Sequence, residues 1–336
     1  MASKMNTNTL VEGLLRSAEN LTISIDKISE DDRSRVLLKL YELTSKVESP
    51  WETFVRLFLS NLADSDFGTT AKFYYDHTVP MFTHMPTFFQ ETSYKNPRSA
   101  RKTVFDSAHG WQGGLFTYLE ANPAQGEAFN TLQRTTTLNR ARWTSIFPSH
   151  MLLDSGSGDD PNSPLLVDIG GSVGQDLQAF YELHPDTASR LYLEDLPSVI
   201  ADKKTSVLKG INKVAYDFYT PQPIKHARAY YMHHILHDWP DKQARKILEI
   251  QKAALKPGYS CILIHDEIMD DNVQAVHTHA AVFDISMMAF GAAQERTEKE
   301  WRALIESAGL RVVKIWRVPA AVQGVIEVGL REGSKL

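Results

Sequence analysis

The chain has 336 residues, 43% hydrophobic and 23% charged, with a formal net charge of −5 and a single cysteine, Cys261. That length suits one large domain plus a smaller one. The excess of acids argues against nucleic acid as the partner, and the lone cysteine excludes an internal disulfide and suits a reducing, cytoplasmic setting. The polar opening MASKMNTNTL lacks the apolar core of a signal peptide, and no apolar run approaches the ~18 residues of a membrane span.

Up to about residue 150 the pattern predicts helices and loops. Apolar residues at helical spacing mark Leu10 to Ala18 and Arg33 to Val47, the latter through Val36, Leu37, Leu40, Leu43 and Val47. Pro50 opens a further segment, PWETFVRLFLSNL, as a proline suits a first helical turn. From Phe73 to Phe89 the chain is rich in aromatics and methionine, with Met81, Phe82, Met85, Phe88 and Phe89. That apolar surface must be buried somewhere. Phe105 to Phe147 is again helical and aromatic, with Trp111, Phe116, Tyr118, Phe129 and Trp143. The loop SGSGDDPNS at 155–163 makes the best boundary, dividing a helical region, 1–154, from a second domain, 155–336.

Beyond that loop, short apolar runs recur: LLVDIG, RLYLEDL, VAYDF, ARAYYMHHI, SCILIHDEI, RVVKIW and VIEVGL. Helical segments lie between several of them. GQDLQAFYELHP follows the first, and DKQARKILEIQKAAL precedes the fifth. In TEKEWRALIESAGL, Thr297 is the expected N-cap, Glu300 its capping-box partner and Gly309 the stop. Strands alternating with helices imply an α/β fold with a mostly parallel sheet covered on both faces.

The first run ends in Asp168-Ile169-Gly170-Gly171-Ser172-Val173-Gly174. Glycines at a strand-to-helix turn let the backbone approach a ligand and aim helix N–H groups at it. Ser172 breaks the dinucleotide spacing. The second run ends in Glu194-Asp195, placed to accept from ribose hydroxyls. The third ends in Asp217-Phe218, an acceptor and an aromatic face suited to adenine.

From about 164 to 330 the chain resembles the catalytic domain of the plant caffeate and fungal secondary-metabolite O-methyltransferases. The family's glycine motif is matched by Asp168, Gly170 and Gly174. Asp195-Leu196-Pro197 matches its strand-two signature, and Leu236-His237-Asp238-Trp239 with Glu295-Arg296-Thr297 matches its most characteristic stretches. The resemblance implies a Rossmann-like, seven-stranded class I methyltransferase sheet with its last strand antiparallel. It also implies S-adenosylmethionine as cofactor, held by Asp168, Gly170, Gly171, Gly174, Asp195, Leu196, Asp217, Phe218 and His233, the last standing where some relatives carry a lysine.

The implied reaction is methyl transfer to a hydroxyl of a small aromatic or polyketide-type metabolite. His237 is the implied general base, with Glu295 and Asp266 as its supports; Glu267 is an alternative to Asp266. Phe129, Met287 and Met288 are candidates to wall the acceptor pocket, although core packing explains the methionines nearly as well. His265, Asp266, Glu267, His277 and His279 match no known metal-ligand spacing, so no metal is expected.

The family's winged helix has no room between Phe58 and Tyr75-Asp76-His77. In relatives that segment supports an intertwined homodimer, and the surviving flanking helices imply that pairing here too. Some fungal proteins of this kind are pericyclases instead, which is the alternative activity, with a non-catalytic cofactor-binding protein as a third.

Overall fold

A run of helices leads into the sheet. In the computed structural model the described residues are 65–99, 101–138, 142–153, 162–201, 210–271, 278–318 and 323–331. The helices expected around Leu10–Ala18, Arg33–Val47 and Pro50 lie outside them, as do most of the 155–163 loop and His277. Residues 61–318 and 322–336 form one compact unit, to which every described residue belongs.

Helix α1 (Ser65–Phe73) passes through one π-helical turn, Tyr74–Thr78, into α2 (Val79–Glu91). Then come α3 (Val104–His109), α4 (Leu115–Ala121) and α5 (Pro123–Leu138). Thr103 caps α3 in a capping box with Asp106, and Gly110 ends it in a left-handed conformation. Phe73, Met81, Phe88, Phe105, Leu115 and Leu119 are buried in one cluster, and Phe82, Met85 and Phe89 pack against it. Most of the apolar surface foreseen for 73–89 is thus covered from within, while Tyr74, Tyr75 and Val79 remain exposed.

All seven apolar runs become strands: β1 (Leu166–Ile169), β2 (Leu191–Asp195), β3 (Asn212–Ala215), β4 (Ala229–His233), β5 (Cys261–Met269), and, after a two-residue β6 (Arg296–Thr297), β7 (Leu310–Trp316) and β8 (Gln323–Leu330). The sheet order is β3-β2-β1-β4-β5-β8-β7, with β6 pairing β5 off that path. The first five in that order are parallel; β8 runs antiparallel to both β5 and β7. Strand β3 ends at Ala215, short of the expected Asp217. There Asp217 begins a turn, its carboxylate accepting the Tyr219 N–H at 2.9 Å, a local bond that competes with strand pairing.

Side chains alternate between the two faces of a strand, and each face has its own core. On one face Met232, Ile262, Ile264 and Ile326 meet α7 (Asp241–Lys252) and α9 (Glu298–Ser307) through Ile247, Leu248, Trp301 and Ile305. On the other, Leu193, Tyr231, Leu263 and Val325 meet Trp143 and, from α6 (Gln175–Leu183), Leu177 and Phe180. The Thr297–Glu300 capping box starts α9 as expected, and Gly309 at φ +76° follows its end. Helix α8 (Thr278–Gly291) joins the two regions, since its Ala289 lies in the helical cluster and Phe290 packs beside it. Among the described residues no helix is long and apolar enough to cross a membrane.

Candidate active site

Two sets of side chains meet at the carboxyl edge of the sheet, where α/β folds place their ligands. The first is built on the turn after β1. Gly170 adopts φ +68°, and a Cβ on Gly171 would sit 2.5 Å from the Asp168 carboxylate, so only glycine fits there. The N–H groups of Gly170 and Gly171 donate to the Glu194 carbonyl at 2.7 and 3.1 Å, tying the turn to β2. Asp195 then accepts from the Ser172 N–H at 2.8 Å and from the Leu196 N–H at 2.7 Å. Burial raises the Asp195 carboxyl to about 6 against the pull of those two donors. Asp168 is raised well above the usual carboxylate range, by burial first and then by Asp176, Asp195 and Glu194. Asp168 Oδ2, Ser172 Oγ and Gln175 Oε1 are buried without a hydrogen-bond partner. A turn with this many unanswered polar atoms is made to be completed by a polar ligand.

Asp217 and Phe218 follow β3, two strands away from β1 in the sheet. The Phe218 ring packs on Tyr219 and meets Trp239 edge-on at 6.1 Å. His233, at the end of β4, donates from Nδ1 to Asp176 at 2.7 Å and stacks on His265 at 4.0 Å. Among the described residues, Asp176, His233 and His265 form a group whose ligand atoms all come within 4.8 Å of one another. The two rings lie only 24° from parallel.

The second set surrounds His237, in a single 3₁₀ turn after β4. Its Nδ1 donates to Glu295 at 2.7 Å, and Asp266 lies 3.9 Å from the same nitrogen. Asp238 is 3.5 Å from Nε2. Burial alone would lower the imidazole pKa, but Glu295, Asp238 and Asp266 outweigh it and hold it at about 10. Burial pushes Asp266 well above the usual range, with His237 pulling the other way. Arg296 is buried beneath the set, donating to the Leu236 and Trp239 carbonyls and to Asp241. It thereby ties the His237 turn to β6 and α7.

His237, Glu295 and Asp266 therefore come together as expected. Glu267, the alternative to Asp266, does not join them. On β5 it follows His265 onto the opposite face, its carbonyl accepting from Trp301 Nε1. Phe129 lies in the helical cluster against Phe73 and Phe116 rather than beside His237. Met287 and Met288 are half-buried on α8. The α8 side chain that reaches the imidazole is Phe283, parallel to it within 18° at 6.4 Å. Neither Phe283 nor Asp176 was marked by the sequence. A single aromatic in a helix carries no sign of what it faces, and Asp176 is 57 residues from the histidine it holds.

Residues 94–311 match the O-methyltransferase domain family. The chain is 49% identical over 264 residues to the O-methyltransferase mfmE of Annulohypoxylon moriforme, a match that covers 79% of this chain and 64% of that relative's length. Among solved structures, that of OxaC in complex with SAH and oxaline is 28% identical, with a TM-score of 0.73 over 84% of this chain and 71% of its own. The complex of LepI with SAM has a TM-score of 0.79 over 96% of this chain and all of its own, at 22% identity, a likeness of fold.

Proposed function

Because the chain belongs to the O-methyltransferase domain family, we propose that it transfers a methyl group from S-adenosylmethionine to a hydroxyl of a small aromatic or polyketide-type metabolite, with His237 as general base. The observation that carries this reading is the buried imidazole with Nδ1 on Glu295 at 2.7 Å. A histidine so paired keeps one tautomer and one orientation, with Nε2 left to take the proton of an acceptor hydroxyl. Held at about 10, the imidazole carries its own proton at neutral pH until a positive ligand lowers it.

The turn after β1 fits the cofactor. Its unanswered buried polar atoms and the glycines leave room for a polar ligand, Asp195 would accept from ribose hydroxyls, and Asp217 and Phe218 after β3 would offer an acceptor and a ring face to adenine. When bound, the cofactor supplies an electrophilic methyl on a cationic sulfur. The acids in the turn favour a positive ligand, whereas any cation brought to this edge works against the carboxylates that lift His237. It would leave more of the imidazole neutral and ready to accept a proton.

Asp266 is the weak member. At 3.9 Å it makes no hydrogen bond to His237, and this favours a second reading, in which the same cleft guides a dehydration or pericyclic step. The two readings separate by incubation of the full chain with methyl-labelled cofactor and a panel of phenolic acceptors. Labelled product one methyl heavier supports transfer. Conversion of substrate with no cofactor consumed supports the pericyclic reading. Neither conversion, with cofactor still bound, leaves a binding protein.

The exposed Tyr74, Tyr75 and Val79 suit a homodimer seam. Light scattering should then give twice the chain mass, and a stable monomer would overturn that assignment. The same reading places the protein in the cytoplasm, with the helical region 1–154 supporting the pocket and 155–336 carrying the cofactor.

A further inference from the structure

Four imidazoles form one chain of ring contacts around the end of β4. His265 faces His233 at 4.0 Å, His233 meets His234 at 4.3 Å, and His234 lies on His237 at 4.7 Å and 25°. Each ring has a hydrogen-bond partner of its own from a different element. The Tyr231 hydroxyl holds His265 at 2.8 Å, Asp176 holds His233 at 2.7 Å, and Glu295 holds His237 at 2.7 Å. His234 differs from the other three. Facing it at 2.6 Å is the amide nitrogen of Gln323. The His234 ring is thus held by a side chain at the start of β8.

The backbone is also unusual at this position. His234 has φ +53°, a left-handed conformation that residues other than Gly, Asn and Asp rarely adopt. Its N–H donates back to the His265 carbonyl at 3.2 Å. The chain turns there so that the ring lies between His233 and His237. Strain of this kind persists where surrounding structure holds it, and it gathers at functional sites.

We propose that His234 is a positioning residue for His237: its ring, fixed by Gln323 and the left-handed turn, sets the plane of the His237 imidazole and shields it from water and from the Asp176–His233 pair. The proposal rests on the reading of His237 as the base. His234 lies on the imidazole at 4.7 Å and 25°, and Phe283 is 6.2 Å from the His234 ring, so both rings lie toward the same side of His237. A tilt of the imidazole toward or away from that side loses the His234 contact, which helps to keep Nδ1 on Glu295. The charged groups around His237 are Glu295 from the segment before β6, Asp266 from β5 and Asp238 from its own turn. Behind Glu295 stands Asp284 of α8, which accepts the Glu295 N–H at 2.9 Å, and Arg296 lies buried below.

The test is a histidine-selective NMR titration of the full-length, cofactor-free protein, run beside thermal melts. His234→Asn suits the left-handed turn but lacks the ring. Its melting point should hold or rise, while the His237 midpoint falls by about one pH unit or more as water reaches the carboxylates. His234→Phe keeps a flat face but is ill-suited to the turn and offers Gln323 no hydrogen-bond partner. It should melt lower, with the His237 midpoint within a few tenths of a unit of wild type. A residue that merely fills space would move stability and titration together. An unchanged His237 midpoint in His234→Asn overturns the proposal, as does an equal fall in both variants. The Asn arm decides alone should the Phe variant fail to fold. Because the titration needs no methyl transfer, failure of the base reading would appear separately, as a wild-type protein that methylates nothing while the His234 pattern persists.

Discussion

Two buried groups of acids sit a few strands apart on the same sheet edge, and they behave in opposite ways. At the turn after β1, Asp168, Asp195 and Glu194 have no cation among them; burial drives Asp195 to about 6 and Glu194 to about 7. Around His237, the carboxylates of Glu295, Asp238 and Asp266 enclose an imidazole and lift it to about 10. The first group is held back from ionising by burial, so its polar atoms are left for a ligand to satisfy. The second has already committed its charge to making one nitrogen basic. On the proposed function, cofactor capture and proton removal fall to separate groups, and substitutions should tell the two apart.

The largest effect expected is at the base. His237→Ala should cut methyl transfer by roughly 10²–10⁴, the span typical of a lost general base, while calorimetry finds affinity for S-adenosylhomocysteine nearly intact. Loss of both together would merge the two groups into one.

Among its supports, Glu295→Gln should slow turnover more than Asp266→Asn, because only Glu295 is within hydrogen-bond reach. Their combined loss should be less than additive, as for residues acting on one group. Glu267→Gln should stay near wild-type rate, and a defect larger than that of Asp266→Asn would mean that the wrong face of β5 has been assigned to the base.

On the other side, Asp195→Ala should weaken binding of the same product by roughly 10–100-fold, the usual cost of losing a charged acceptor. An unchanged dissociation constant would remove Asp195 from the cofactor site.

The smallest effect is on stability. Glu194 is held at about 7 rather than 4.5, so the folded protein binds this proton more tightly than the unfolded chain does. Its stability is greatest below about 4.5 and is lost as pH rises to about 7. Gln222 donates to its carboxylate at 2.8 Å and could equally donate to an amide oxygen. Glu194→Gln should therefore match wild type near pH 4 and exceed it by about 1–3 kcal/mol near pH 8. Parallel stability curves for the two proteins would contradict the burial argument.

Contiguous motifs made much of this legible in the sequence. The glycine turn, Leu236-His237-Asp238-Trp239 and Glu295-Arg296-Thr297 each place their residues through a local strand-to-turn geometry, and the seven apolar runs announce the sheet because strands buried on both faces are apolar throughout. What stayed hidden depends on direction in space. His233-His234 reads as the end of a strand until a left-handed residue swings the second ring over His237. Phe129 lies on an expected helical segment but packs away from the base, whereas Phe283 is brought toward it by the packing of α8. The two-residue β6 is too short to leave a pattern.

The claim at the centre of this account is that buried carboxylates make His237 a strong base, and the titration of His237 itself is its most direct test. In histidine-selective NMR spectra of the cofactor-free protein, His237 should titrate near 10, and in Glu295→Gln its midpoint should fall toward the ordinary histidine value of ~6.5. A wild-type midpoint already near that ordinary value, or one that Glu295→Gln leaves in place, would contradict it.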